Sequence, residues 1–307
     1  MATLRALECF VAVVEFGSVT EAAARLHMSQ PALSHQIVAL ERELGTQVVE
    51  RLPRGVRPTA AGRAVVADAR AAVAAAERVV ATGRAVAAGA GGQLRIGCAE
   101  SMTAGLLAPV LRAWHRRRPD VQLALTEVTS ADALADLVSS GQADIGIGPR
   151  PSRWDGPVSL VGQEEVVVAM AADATAKGAA AGPLTFAQSA ERPVVGYHPD
   201  NGLGGWLDEA AARHGVTLTA VTRTRQATTA AQLASAGLGV ALVPTTALPS
   251  SFPGAVRPLE PPLTRAVVVL LANPSDPLAQ RFDADVRRRG VPVPAAIAAQ
   301  LSEARQR

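Results

Sequence analysis

Apolar positions in the first sixty residues recur at helical spacing and are broken by regular punctuation. Residues 4–16, LRALECFVAVVEF, place Leu4, Leu7, Phe10, Val11 and Val14 on one face, and Gly17 closes the run, which predicts a first amphipathic helix. Ser18 with Glu21 three residues on has the form of a capping box; Ala22, Ala23 and Leu26 then carry a short second helix that stops at His27 and Met28. Ser29 caps a third helix with Pro31 in its first turn, where a missing amide donor costs nothing. Leu33, Ile37, Leu40 and Leu44 form its apolar stripe and Gly45 ends it. The opposite face carries Gln30, Ser34 and His35 with Gln36 beside them, short hydrogen-bonding side chains near the N-terminal end. That is the end that meets base edges when such a helix lies in a major groove.

After this hairpin the pattern changes. Residues 46–58 hold the β-prone pair Val48 and Val49, then Pro53, Gly55 and Val56, which reads as a two-stranded wing bearing Arg51, Arg54 and Arg57. From Thr59 a long helix is expected to about Ala88, its small apolar positions Val65, Ala69, Ala72, Ala76, Val79, Gly83 and Val86 spaced alternately by four and three. One modest stripe on a long helix needs a partner, either a second copy of the helix or the front domain of another chain. The glycine-rich GAGG at 89–92 follows as a hinge. Beyond it, strands alternate with helices. LRIGC (94–98), a helix from Gly105 to Arg118, VQLALTEV (121–128), a helix capped by Ser130 and ended by Gly141, and ADIGIG (143–148) make a βαβαβ unit with a parallel sheet. A second set follows: extended residues 160–170, PVVGY (193–197), a helix over 203–214, VTLTAV (216–221), a helix over 228–236, and GVALVP (239–244). RAVVVLL (265–271) and a last helix near 277–289 complete the chain.

The fold class expected is therefore an α-helical winged helix-turn-helix domain (residues 1–58), a long linker helix (59–89) and an α/β domain of two lobes (90–307). Lobe 1 is drawn at about 92–162 plus 266–300 and lobe 2 at about 163–265, the chain crossing between them near 162 and 265 around a cleft.

Composition refines this picture in three ways. With 49% hydrophobic and 19% charged residues the chain is of the soluble globular class, and it lacks both a long uncharged apolar run and the order of a signal peptide, so a cytoplasmic location is expected. Cys9 and Cys98 fall in apolar patterns of different domains, which argues against a disulfide, and no metal site is expected. The net charge of +3 is focused rather than spread: residues 1–60 carry six arginines and six glutamates, yet Arg51 to Arg63 holds four arginines and no acid. Such a local stripe suits a loop that grips phosphates, and the DNA-contacting set is taken as Ser29, Gln30, Pro31, Ser34, His35, Gln36, Arg51, Arg54 and Arg57.

The segment SVTEAAARLHMSQPALSHQIVALERELGTQVVERLPRGVRPTAAG strongly resembles the N-terminal signature of LysR-type transcriptional regulators, and looser echoes, LLAPVLRAWHRRRPDVQLALTEV, LVSSGQADIGIG and AAQLASAGLGVALVP, extend the resemblance over nearly the whole chain. It departs from that family at Val48 and Val49, where Leu-Phe is common. The resemblance implies a winged reader of double-stranded DNA, a dimerising linker helix and a periplasmic-binding-protein-like effector domain. It further implies a homodimer, usually within a homotetramer, and a small-molecule effector between the lobes, with no other cofactor.

Ligands of open α/β lobes bind outside the carboxyl ends of the strands, against helix N-termini. In lobe 1 this points to Glu100, Ser101, Met102 and Thr103, to Thr129 and Ser130, and to Pro149 and Arg150. In lobe 2 it points to Tyr197, His198 and Asn201, to Thr228 and Thr229, and to Pro244 and Thr245. Hydroxyls and free amides at Ser101 and Thr103 suit a carboxylate; Glu100 in the same loop opposes one, so its side chain turns away or the ligand carries a donor such as an amine or hydroxyl. His115 to Arg118 are read as ordinary cations at a helix C-terminus. Three other functions stand against a ligand-controlled regulator. A solute-binding component would lack a use for the reader; an enzyme would need a motif such as G-x-S-x-G or H-E-x-x-H, and none is present; a thiol sensor at Cys98 would lack a resolving partner.

Overall fold

The computed structural model describes residues 2–52, 55–87, 92–175 and 182–307. By internal contacts the chain divides into two compact units, residues 1–93 with 136–143, and residues 94–135 with 144–307. The first holds α1 (Leu4–Phe16), α2 (Val19–Arg25), α3 (Gln30–Leu44), β1 (Val49–Arg51), β2 (Val56–Pro58) and α4 (Ala60–Ala87).

Local chemistry accounts for most of these boundaries. Gly17 and Gly45 end α1 and α3 in the left-handed region, where a side chain is disfavoured. Ser18 and Ser29 each accept a backbone N–H from three residues on, from Glu21 and Ala32. His27, at φ 53°, makes the turn between α2 and α3. The inward face of α1 is rotated from the one expected: Ala6, Cys9, Phe10 and Val13 are buried, whereas Leu4 is exposed. Leu44 is likewise exposed, so the stripe of α3 ends at Leu40. The wing pairs Val49 with Pro58 and Arg51 with Val56, and the Val56 N–H reaches Gly17 O at 2.8 Å. A Cβ at Gly55 would lie 2.6 Å from that same oxygen, so the wing can approach α1 only through a glycine. Val48 fills the wing base completely buried, its N–H bonded to Glu41 Oε1 at 3.0 Å. Opposite it, a Cβ at Gly62 would come 2.0 Å from Val48 O, so α4 closes on the base where a larger pair is usual in the family.

Helix α4 is not independent of the reader. Thr59 Oγ1 accepts the Gly62 N–H, and Val65, Val66 and Ala69 pack into the core of α1–α3. The front of the expected pairing seam is thus used within the chain, while Val79, 74% exposed, and Val80 leave the later part bare. Arg54, the hinge residues 89–91 and the Val86 side chain lie outside the described residues.

The second unit contains β3 (Gln93–Ala99), α5 (Glu100–Met102), a π turn (Thr103–Leu107), α6 (Ala108–Arg117), β4 (Gln122–Val128), the start of α7 (Ala131–Ser139, of which residues 136–139 fall in the first unit), β5 (Ile145–Pro149) and β6 (Val158–Met170). It continues with α8 (Phe186–Ala190), β7 (Val194–Tyr197), α9 (Gly202–Arg213), β8 (Ala220–Thr224), α10 (Ala227–Ser235), β9 (Ala241–Pro244), β10 (Ala255–Arg257), β11 (Leu263–Leu271), α11 (Pro277–Arg289) and α12 (Ala295–Arg305). The helix expected from Gly105 begins at Glu100, immediately after β3, and the strand expected at 216–221 lies at Ala220–Thr224.

One sheet of order β10-β6-β11-β5-β3-β4, with β9 on β6, runs through both lobes, and β7 and β8 pair in parallel as a separate two-stranded sheet of lobe 2. The long strands β6 and β11 run antiparallel through it, Val166 opposite Leu263 at one end and Val158 opposite Leu270 at the other. Lobe 1 is built around Leu94, Ile96, Leu106, Trp114, Val267 and Phe282, and lobe 2 around Val166–Met170, Val195, Leu207, Ala230 and Leu242. Ile297 and Leu301 of α12 join the lobe 2 core, which corrects the assignment of residues up to 300 to lobe 1. After α11 the chain crosses a third time, and Arg305 Nη2 holds both oxygens of Glu165 at 2.6 Å. No helix among the described residues is long and apolar enough to cross a membrane.

Candidate functional site

In the first unit the polar face of α3 is presented by its own stripe. Leu33, Ile37 and Leu40 are buried, which leaves Gln30, Pro31 and His35 exposed and Ser34 and Gln36 half-buried. Apart from Ser29 at the cap, none of these makes a side-chain hydrogen bond among the described residues. Arg51 is exposed without a side-chain partner among them, whereas Arg57 meets Glu50 at 2.5 Å across the wing and holds that carboxyl below its usual range. Both ions are exposed, so the pair contributes little and can be traded for another anion.

In the second unit a cavity of about 550 Å³ opens between the lobes. Glu100 and Ser101 reach it from the start of α5, Thr129 and Ser130 from the end of β4, Pro149 and Arg150 from the end of β5, and Asn201 from the start of α9. The strand-end rule therefore brings these residues to one wall. The lobes also touch at its rim. Thr129 O accepts the Gly202 N–H and Thr129 Oγ1 donates to Asp200 O, both at 3.0 Å. A Cβ at Gly202 would press on Ser130 at 2.8 Å, so this contact requires glycine. Asn201 caps α9 through Oδ1 and donates to Arg225 O through Nδ2, so its amide is already engaged.

Glu100 turns toward lobe 2. Its Oε1 accepts the Ala227 N–H at 2.9 Å, capping α10, whose own cap residue Gln226 makes no side-chain bond there. Burial raises the Glu100 carboxyl above its ordinary range, and the Ala227 N–H offsets part of that rise. Arg265, also on the wall, is held by Glu164 at 2.8 Å, and the other oxygen of Glu164 takes the Thr246 hydroxyl.

Other candidates lie elsewhere. Met102 is fully buried in the lobe 1 core because the helix starts at Glu100 and turns it inward. Thr103 Oγ1 is buried beside the Cys98 thiol and is not on the cavity wall. Tyr197 is buried with its hydroxyl on Leu242 O at 2.9 Å, and burial raises that phenol. His198 sits 3.1 Å from Asp200, off the wall. Pro244 and Thr245 are buried at the end of β9. Thr228 faces a second cavity of about 500 Å³ with Gly105, Gln232, Thr246 and Arg289. Conversely, Asp132, Trp206, Glu209 and Arg265 were not anticipated. Gly202, Gly205, Trp206 and Glu209 recur at helical spacing, a signal usable only once the N-terminus of α9 is known to face the cleft.

Cys98 is fully buried, and burial pushes its thiol up to about 12, which leaves it inert as a nucleophile or sensor at neutral pH. At the end of α6, Arg117 pairs with Asp285 and Arg118 lies over Trp114, in keeping with the reading of that cluster as helix-end cations.

Comparison with known proteins agrees with both units. Residues 4–63 match the family described as bacterial regulatory helix-turn-helix protein, lysR family, and residues 87–291 match the LysR substrate binding domain. The uncharacterized HTH-type transcriptional regulator YnfL of Escherichia coli K12 is 33% identical over 251 residues, covering 78% of this chain and 82% of that one. BudR of Raoultella terrigena, another HTH-type transcriptional regulator, is 32% identical over 248 residues, covering 78% and 84%. Among solved structures, full-length CbnR complexed with its target DNA superposes with a TM-score of 0.64 at 25% identity, covering 94% of this chain and 100% of CbnR. The chain belongs to the LysR family: it is a LysR-type transcriptional regulator that joins a helix-turn-helix DNA-binding unit to a substrate-binding effector unit.

Proposed function

We propose that α3 lies in the major groove of duplex DNA with Gln30, Pro31, Ser34, His35 and Gln36 toward the base edges. Ser29 and the wing arginines Arg51, Arg54 and Arg57 would meet the phosphates. The observation that carries this reading is the unsatisfied polar face of α3, held outward by the buried Leu33, Ile37 and Leu40. The bare stretch of α4 at Val79 and Val80 supports pairing of chains as a homodimer; assembly into a homotetramer that acts on DNA in the cytoplasm is carried over from the family.

The cavity between the lobes is read as the effector site. A ligand there touches Glu100, Ser101, Thr129 and Arg150 of lobe 1 and the start of α9 in lobe 2, so its occupancy shifts the population of closed lobes and with it the arrangement of protomers on DNA. We read the site as regulatory rather than catalytic: Ser101 has no base at hydrogen-bond distance among the described residues.

Binding to a duplex selected from a random pool, against scrambled DNA at several salt concentrations, tests the reader. Ser34→Ala or Gln30→Ala should lower the ratio of selected to scrambled affinity. Arg51→Ala should weaken both alike and reduce the salt slope by about one unit. Equal loss on both DNAs from all three variants refutes the assignment.

A further inference from the structure

The wall of the cavity between the lobes carries three carboxylates, Glu100, Asp132 and Glu209, against two guanidiniums, Arg150 and Arg265. Arg265 is already balanced by Glu164, which is fully buried. The charge presented to a ligand is therefore negative in excess. Asp132 accepts the N–H and hydroxyl of Ser152 at 2.8 and 2.9 Å, bonds that orient it without cancelling its charge. Only one oxygen of Glu100 is engaged, by the Ala227 N–H; Oε2 has no partner among the described residues. Beside it, Ser101 is 6% exposed, lines the same wall, and its hydroxyl likewise has no partner among them. Both atoms face the open cavity, where a ligand can engage them in place of water. Trp206 and Leu203 add an apolar patch to the wall.

We propose that this cavity takes a small organic molecule bearing a protonated amine, its ammonium held by the free oxygen of Glu100 and the Ser101 hydroxyl and its apolar body set against Trp206. The proposal rests on the reading of this cavity as the effector site and adds the chemical class of its ligand. An ammonium neutralises the excess charge, supplies donors to both open acceptors and gains from a neighbouring indole. A simple carboxylate could take the Ser101 hydroxyl and Arg150, but it enters against the excess of like charge and gives Glu100 Oε2 no donor. Glu100 becomes the residue that sets specificity, because it bonds the ligand from one oxygen and the start of α10 in the other lobe from the other.

The test uses the full chain with four probes: 2-phenylethylamine and cyclohexylmethylamine, and the carboxylates 3-phenylpropionate and cyclohexylacetate. Binding is read by calorimetry and by the thermal shift of tryptophan fluorescence, with anisotropy on the selected duplex in the same samples. The amines should bind and raise the melting temperature, and the carboxylates should not. Glu100→Gln, whose amide oxygen can still cap α10, should weaken the amines at least tenfold, and Ser101→Ala should weaken them several-fold. Carboxylates that bind in place of amines, no binding by either class, or amine affinity unchanged in Glu100→Gln each overturn the proposal. Anisotropy separates this from the broader reading: amines that bind without altering the DNA complex keep the ligand class and sink the switch. Carboxylates that bind and alter it keep the switch and sink the class.

Discussion

Replacing Arg265 by methionine leaves the buried Glu164 carboxylate without its cation. Glu164 and Arg265 face each other across β6 and β11, Nε 2.8 Å from Oε2, with Glu164 fully buried and the Arg265 side chain 9% exposed. The other Glu164 oxygen is taken by the Thr246 hydroxyl, which cannot replace a cation. Methionine keeps most of the arginine stem, so the loss is chiefly electrostatic; removing one partner of a buried pair costs about 3–5 kcal/mol. For a unit of this size each kcal/mol moves the melting temperature by roughly 2–4 °C, so a fall of roughly 6–20 °C is expected. Trp114, Trp154 and Trp206 are the three tryptophans of the chain and all lie in the second unit, so their fluorescence reports that unit alone while far-ultraviolet circular dichroism follows both. Glu164→Gln leaves the guanidinium facing a neutral amide and should also destabilise. The double variant should be milder than the sum of the singles by roughly 1–3 kcal/mol. A cost below about 1 kcal/mol for Arg265→Met, or simple additivity in the double variant, would show that the pair is solvated in solution and refute the reasoning.

Three further outcomes follow from the same geometry. For Asp285, burial pushes the carboxyl up, but hydrogen bonds from Trp114 Nε1 and Arg117, both at 2.6 Å, outweigh it and hold the group below the usual range. Its stabilisation is thus present above the ordinary carboxylate pKa and fades as pH falls through the lowered one. Asp285→Asn should cost about 1–3 kcal/mol at pH 7 in urea unfolding, and the gap should narrow in acid. Glu100 behaves oppositely: with its folded pKa raised mainly by burial, the native state holds the proton more tightly and loses stability as pH climbs from the ordinary carboxylate value through the raised one. Glu100→Gln should therefore melt above the wild type at pH 8 by a margin that shrinks toward pH 4; a constant margin contradicts it. Val79→Glu, at a position 74% exposed in the single chain, should lower the mass seen by analytical ultracentrifugation while leaving the α1–α3 core intact; an unchanged mass removes this part of α4 from the chain–chain contact.

What could be read from the chain without its structure is what neighbours in sequence decide. Ser18, Ser29, Gly17 and Gly45 bound their helices through bonds and dihedrals made within a few residues, so α1–α3 and the wing were legible at once. The strand-end loops that reach the cleft were legible too, because a β-strand running into a helix places its turn at one edge of a sheet whatever the rest of the chain does. Side-chain orientation at those loops was not. Glu100 turned out to cap a helix more than a hundred residues away, and Met102 and Tyr197 turned inward because burying them gains more than lining a polar cleft.

The seam of α4 shows the division most plainly. Its heptad spacing determined that one face seeks apolar contact, but only tertiary packing decided that Val65 and Ala69 find it in their own reader while Val79 does not. The third crossing through α12, the shared sheet and the charge balance of the cavity belong to the same second kind. Each depends on groups far apart in sequence competing for one partner, and periodicity records that a residue is to be buried without recording against what.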